Sequence, residues 1–185
     1  MKRWGVFLDR DGTLVPDARH ATRPEQLRLY PSVGPALRQL AEAGAKLAVV
    51  SNQSAVARGL LDGPGLRRMD RRLRELLAGE RVRLDRTDYC PHHPDFTGPC
   101  DCRKPAPGMV LRGLRGLRLS PRRCWLVGDT ASDLAAARAA GLRTVLVLSG
   151  HGRRHREDVI RRGLADHVVR DLLGAARRIL ESGEA

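Results

Sequence analysis

Trp4-Gly5-Val6-Phe7-Leu8-Asp9-Arg10-Asp11-Gly12-Thr13-Leu14 decides how this chain is read. A short apolar, partly β-branched run stops abruptly at two carboxylates spaced by two, which predicts a buried strand over Trp4–Leu8 with acids at its end. Spacing two on an extended chain puts Asp9 and Asp11 on the same side. Gly12 then lets the backbone leave the strand in a conformation that other residues resist.

Outward from this stretch, the same type of run recurs at Lys46–Val50, Arg86–Tyr89, Cys124–Val127 and Thr144–Leu148, with a weaker one at His167–Val169. Between them lie amphipathic segments, roughly Val33–Ala43, Pro64–Leu77, Gly108–Leu114, Ser132–Ala140, Arg156–Arg162 and Leu172–Leu180. Strands alternating with helices predict an α/β fold: a three-layer, doubly wound parallel sheet in one domain spanning 1–185. Ala43-Gly44 and Ala140-Gly141 have the form of glycine-capped helix ends. Residues 90–107, rich in Pro, His, Cys and Asp, suit neither element.

In such sheets ligands bind beyond the carboxyl ends of the strands, so those ends carry the functional reading. The first offers Asp9 and Asp11, two close acids that can divide the work of phosphoryl transfer. One attacks phosphorus as the anion, and the other protonates the leaving oxygen. The second offers Ser51-Asn52-Gln53-Ser54, uncharged donors for phosphate oxygens. Arg103-Lys104-Pro105 brings an ammonium that can offset the charge of nucleophile and substrate. The fourth strand runs into Gly128-Asp129-Thr130-Ala131-Ser132-Asp133, where Asp129 together with Asp9 can hold Mg²⁺, a hard cation that prefers oxygen ligands. Asp133, near a helix start, is read with Thr130 in a supporting role, orienting metal-bound water or the loop.

The 185 residues contain four cysteines, Cys90, Cys100, Cys102 and Cys124. Cys90-Pro91-His92-His93-Pro94 followed by Cys100-Asp101-Cys102 makes a Cys-x-His…Cys-x-Cys set typical of structural Zn²⁺. Cys90, His92, Cys100 and Cys102 are the expected ligands, in a zinc loop inserted at 90–102. His93 is the alternative to His92, and Cys124 reads as core.

The net charge is +13, yet of the 34 basic side chains only Lys2, Lys46 and Lys104 are lysine, and the arginines are scattered. A salt-dependent nucleic-acid surface needs clustering. Aromatics, at 3% of the chain, are too few for base stacking. The expected partner is therefore a small anionic molecule rather than nucleic acid. No apolar run reaches the ~20 residues of a membrane span, and the N-terminus lacks a leader-like segment. A cytoplasmic monomer is expected.

The order Asp-x-Asp, Ser, Lys, Gly-Asp-x-x-x-Asp resembles the haloacid dehalogenase (HAD) superfamily of phosphatases over nearly the whole chain. The resemblance implies that Asp9 is the nucleophile, Asp11 the general acid/base, and Ser51 and Lys104 phosphate ligands. Mg²⁺ would be held by Asp9, the Asp11 carbonyl and Asp129. Cys-Pro-His-His-Pro…Cys-Asp-Cys-Arg-Lys-Pro is similar to the D-glycero-D-manno-heptose 1,7-bisphosphate 7-phosphatases and the related histidinol-phosphate phosphatases. Ala57-Arg58-Gly59 and Lys104-Pro105-Ala106-Pro107-Gly108-Met109 resemble the heptose group more. That group implies a capless fold, release of the 7-phosphate, and substrate contacts from Asp17 to His20, Ser51 to Ser54, and Arg103. For the phosphate that is not cleaved, Arg19, Arg58 and Arg103 are the candidates, because a guanidinium binds phosphate with a planar fork. The alternatives are a histidinol-phosphate phosphatase and, in another class, a zinc-containing nucleic-acid binder or nucleic-acid-end phosphatase.

Overall fold

A computed structural model describes residues 3–17 and 21–183 of the chain. Among these residues the strands β1 (Gly5–Leu8), β2 (Lys46–Asn52), β3 (Arg86–Cys90), β4 (Cys124–Gly128), β5 (Arg143–Val147) and β6 (His167–Val169) form one sheet in the order β3-β2-β1-β4-β5-β6. Every pairing is parallel. The order reverses at β1, which pairs β2 on one edge and β4 on the other, with Leu8 opposite both Val49 and Val127. This is the topological switch point of a doubly wound sheet.

Alternation along the strands assigns the two faces. Val6, Leu8, Leu47, Val49, Trp125, Val127, Val145 and Val147 pack with residues of α1 (Val33–Glu42), α2 (Gly63–Gly79) and α7 (Leu172–Glu181). Phe7, Ala48, Val50 and Leu126 point the other way, against α4 (Gly108–Leu117) and α5 (Ala131–Ala139). The remaining helices are α3 (Pro94–Thr97) and α6 (Gly152–Arg161). Val6, Phe7 and Leu8 have no exposed surface, and burying each such side chain is worth about 1.5–3 kcal/mol. That anchorage holds the end of β1, and so Asp9, rigidly in place.

All six expected strands form, and the expected glycine caps close α1 and α5, with φ of 85° at Gly44 and 80° at Gly141. Two segments differ from the sequence reading. Helix α6 begins at Gly152, four residues ahead of the expected Arg156. Gly152 packs where a Cβ would fall on the Val147 carbonyl, so a glycine that reads as a loop docks the helix start on β5. Within the irregular stretch, Pro94–Thr97 forms one turn of helix, with the His93 ring accepting from Asp95 N at its start. No described helix is long and apolar enough to cross a membrane.

Candidate active site

Three strand ends and one loop converge where the strand order reverses. Asp9 follows β1, Ser51 and Asn52 end β2, and Asp129 follows β4. Lys104 reaches them from the loop before α4, although it lies 95 residues from Asp9 in sequence. Its Nζ donates to Asp9 Oδ1 at 2.6 Å and to the Val50 carbonyl at 2.8 Å, and pairs with Asp133 Oδ1 at 2.5 Å. All three partners are buried with it. Asn52 fixes the loop, accepting from Lys104 N at 3.0 Å and donating to the Lys104 carbonyl at 3.1 Å.

Asp129 stands across from Asp9. Its Oδ2 accepts from His151 N at 2.8 Å, while Oδ1 is buried without a partner. The turn after β1 leaves room for it only because residue 12 is glycine. Gly12 has φ 84°, and a Cβ there would land on the Asp129 carboxylate. Gly150, at φ 53°, is under the same restriction against Asp129 and Gly12. Asp133 closes a capping box with Thr130: its Oδ2 accepts from Thr130 N at 3.0 Å and from Thr130 Oγ1 at 2.6 Å.

Asp9, Asp129 and Asp133 each offer an oxygen within 4.8 Å of the others. Burial, opposed by Lys104 and reinforced by Asp133 and Asp129, pushes the Asp9 carboxyl up to about 8. Burial and Asp133 push Asp129 to about 7, against the pull of the His151 N–H and Lys104. Carboxyls this desolvated keep a proton unless a cation replaces it. Three acids against one lysine, with an unpartnered buried oxygen on Asp129, fit a hard divalent cation. Both Asp133 oxygens are already taken by Lys104 and Thr130, so it orients neighbours, whereas Asp9 and Asp129 are the available ligands.

Asp11 shares the cavity with Asp9 but not its partners. Arg10, only 2% exposed, places Nε at 3.1 and 3.2 Å and Nη2 at 3.0 and 2.9 Å from the two Asp11 oxygens. Gln53 joins them: its Nε2 donates to Asp11 Oδ2 at 2.9 Å and to Ser51 Oγ at 3.0 Å, and its Oε1 accepts from Arg10 Nη2 at 2.8 Å.

The open space over these groups is a cavity of about 220 Å³ walled by Asp9, Asp11, Asp17, Ser51, Asn52, Lys104, Asp129, Thr130, Ser132, Asp133 and His151. A second of about 180 Å³, sharing Asp11, Asp17 and Asn52, adds Arg10, Gln53 and Ser54. A larger cleft of about 490 Å³ lies elsewhere, between Pro24, Glu25 and the Arg68, Arg71, Arg72 and Glu75 side chains of α2. Its mixed charges include an Arg72–Glu75 pair at 3.6 Å, and it has no convergent buried polar groups.

Cys90, His92, Cys100 and Cys102 gather beside Lys104. Their sulfurs lie 2.9, 3.5 and 3.7 Å apart, and His92 Nδ1 is 3.3 Å from Cys102 Sγ and 3.9 Å from Cys90 Sγ. Tetrahedral Zn–S bonds of ~2.3 Å require sulfurs roughly 3.7 Å apart, so the set fits zinc after a slight opening of the closest pair. All three cysteines of the set are free thiols. His93 turns away to Asp95 and Phe96, which leaves His92 as the fourth group. Cys124 is buried within β4.

Other expected contacts are not brought to the cavity. Arg58 lies over the Phe96 ring at 4.8 Å, and Arg103 Nη1 donates to the His92 carbonyl at 3.0 Å. Neither lines the two site cavities. Arg19 and His20 fall outside the described residues. Conversely, the sequence pattern does not single out Arg10, hidden between two more conspicuous acids, or the Ser149-Gly150-His151 turn after β5. Ser149 Oγ donates to the Gly12 carbonyl at 2.7 Å, and His151 Nε2 lies 3.6 Å from Asp17 Oδ2. That turn follows a strand, which is the one signal that marks it.

A parallel sheet with acids and a lysine at its switch point defines a HAD-like hydrolase, and a HAD-hydrolase-like family model matches residues 101–175. D-glycero-beta-D-manno-heptose-1,7-bisphosphate 7-phosphatase from Pseudomonas putida is 37% identical over 179 residues, covering 95% of this chain and 98% of the relative. The protein of the same name from Haemophilus ducreyi is 38% identical over 156 residues, 81% and 86% of the two chains. The crystal structure of D,D-heptose 1,7-bisphosphate phosphatase from B. bronchiseptica, complexed with magnesium and phosphate, superposes with a TM-score of 0.87 at 32% identity, covering 99% of this chain and 100% of that one. The chain belongs to this family of heptose-bisphosphate phosphatases, and it is a phosphatase.

Proposed function

We propose that the chain removes the 7-phosphate of D-glycero-β-D-manno-heptose 1,7-bisphosphate through an aspartyl-phosphate on Asp9. The observation that carries this reading is the Lys104–Asp9 contact of 2.6 Å, buried where the strand order reverses. Asp9 is the nucleophile: its carboxylate oxygen bonds to phosphorus as the bond from phosphorus to the sugar oxygen breaks. Lys104 offsets the repulsion between that carboxylate and the phosphate. Asp11 gives its proton to the departing alkoxide, then takes one from the water that hydrolyses the acyl phosphate. Ser51 and the backbone N–H groups beyond β2 hold phosphate oxygens. Mg²⁺, held by Asp9, Asp129 and the Asp11 carbonyl, would supply a second compensating charge at the phosphoryl group. Thr130 and Asp133 keep Lys104 and the Asp129 loop in place.

The test of substrate is phosphate release with Mg²⁺ across heptose bisphosphates, other sugar phosphates, histidinol phosphate and 3′-phosphorylated oligonucleotides. The heptose 1,7-bisphosphate should give the highest kcat/KM, and preference for either of the last two would overturn the assignment. Among the wall residues Asp17, Asn52, Gln53 and Ser54 are candidate sugar contacts, with Arg19 and His20 beside them in sequence. Arg58 and Arg103 would have to leave Phe96 and the His92 carbonyl to hold the uncleaved phosphate. Arg103→Ala is expected to raise KM about tenfold for the bisphosphate, a loss of about 1.4 kcal/mol, and much less for 4-nitrophenyl phosphate. Equal changes would confine Arg103 to the zinc loop.

Metal binding should depend on pH in a defined direction. Asp9 and Asp129 hold protons to about 8 and about 7, above the unfolded value of 3.8. Between these limits the native state binds more protons than the unfolded chain, so without metal the two acids lose stability as pH rises. Mg²⁺ replaces those protons. Its rise in Tm is therefore expected to be larger at a pH of about 8 than about 6, measured by thermal unfolding; the reverse order would count against these ligands.

Zinc in the Cys90, His92, Cys100 and Cys102 set would pin the loop that carries Lys104. Chelation, or Cys100→Ser, is expected to lower Tm and reduce turnover together. Unchanged Tm and turnover after zinc is shown to be gone, by elemental analysis, would remove the structural role. The partner is a small molecule, the chain is expected to act in the cytoplasm as a monomer, and nucleic acid has no place in the mechanism.

A further inference from the structure

We propose that Arg10 and Gln53 are positioning residues that aim the Asp11 carboxyl at the leaving-group oxygen, an inference resting on the acid–base role of Asp11 proposed above. A buried guanidinium is costly unless its hydrogen bonds are met in good geometry. Arg10 is almost wholly buried, so it does not capture substrate from solvent; its Nε and Nη2 are partnered, whereas Nη1 is buried with no partner among the described residues. Its fork lies along both Asp11 oxygens at 2.9–3.2 Å, which fixes the plane of the carboxylate as a lysine's single ammonium cannot.

Gln53 closes the ring. Its amide oxygen accepts from Arg10 and its amide nitrogen donates to Asp11, so each of the three side chains restrains the other two. The same nitrogen reaches Ser51 Oγ, linking the position of the acid to that of a phosphate-binding hydroxyl. Asp11 needs such support. Beyond the end of β1 its backbone is held by a bridge to Val15, with Gly12 N donating to the Val15 carbonyl at 2.7 Å, so the freedom left at Asp11 is rotation of its side chain, which the clamp removes. A proton donor acts only within hydrogen-bond reach and alignment of its acceptor.

The experiment separates aiming from general damage by changing the leaving group. An alkoxide needs a proton as it departs, whereas 4-nitrophenolate does not. Arg10→Lys, Arg10→Met and Gln53→Leu are compared with wild type and Asp11→Asn in saturating Mg²⁺. The readout is kcat/KM for ethyl phosphate and for 4-nitrophenyl phosphate, an alkyl and an aryl ester that both lack the sugar Gln53 is proposed to contact. Each clamp variant is expected to lose at least about tenfold more on the alkyl than on the aryl ester, since general acid catalysis supplies roughly 10²–10⁴-fold. Equal losses on the two esters, or no loss, would overturn the proposal. If Arg10→Met does not fold, Gln53→Leu, which leaves the guanidinium fork intact, reads the same ratio. If Asp11→Asn itself shows no preference, the acid–base reading of Asp11 fails and the clamp with it. If Asp11→Asn shows it and the clamp variants do not, only the clamp fails.

Discussion

Asp9→Asn is expected to leave the fold standing and to lower turnover by at least about 10⁴-fold, the scale of losing a covalent nucleophile. The two halves of this expectation have separate causes. Asparagine matches aspartate in shape, and Lys104 would keep Asp133 at 2.5 Å and the Val50 carbonyl at 2.8 Å, so the buried ammonium stays partnered. Desolvation already pushes Asp9 toward its neutral form, to about 8, so a neutral isostere costs little stability. An amide oxygen, however, cannot form the acyl phosphate. Tm measured without Mg²⁺ should change by only a few degrees, and acid-quenched wild type mixed with substrate should carry one phosphoryl group on the peptide containing Asp9. Phosphoryl transfer persisting in the variant, or a phosphoryl group on another residue, would end the covalent reading.

Lys104→Met should be almost as damaging, but with a different signature. It keeps most of the side-chain volume and removes the cation that Asp9 and Asp133 share, so kcat/KM is expected to fall by about 10³-fold, as for loss of an electrostatic contact to the transferring group. Breaking a buried pair costs about 3–5 kcal/mol when the remaining charge has no outlet. Here the acids can take up protons, so the loss should be smaller. With one positive charge fewer in the site, Mg²⁺ should bind no more weakly than in wild type, in contrast to Asp9→Asn, which removes a ligand. Titration of Mg²⁺ by calorimetry distinguishes them. Weaker Mg²⁺ binding in Lys104→Met than in Asp9→Asn would show that the lysine, rather than the acids, organises the metal site.

Much of the fold and of the site is legible in the order of residues itself. An apolar run ending in Asp-x-Asp-Gly, followed along the chain by Ser51, Lys104 and Asp129, sets out both the parallel sheet and the chemistry along its edge. Strand periodicity and glycine-capped helix ends are local signals, and they can be read because neighbouring residues impose them. The Cys-x-His…Cys-x-Cys spacing is equally local, though only the turn of the chain at Pro94 separates His92 from His93.

What the amino-acid sequence by itself determined about this protein is therefore the type of fold, the family and the identities of the acids and the lysine. The tertiary structure decided which groups touch: Asn52 holds the Lys104 loop, Gln53 faces Asp11, Arg58 and Arg103 serve the cysteine loop, and the Ser149–His151 turn meets Gly12 across 137 residues. The physical reason is that a side chain's direction and partners depend on packing between segments far apart in the chain. Arg10 shows this most clearly, since a charged residue between two acids reads as surface until the fold seals it inside.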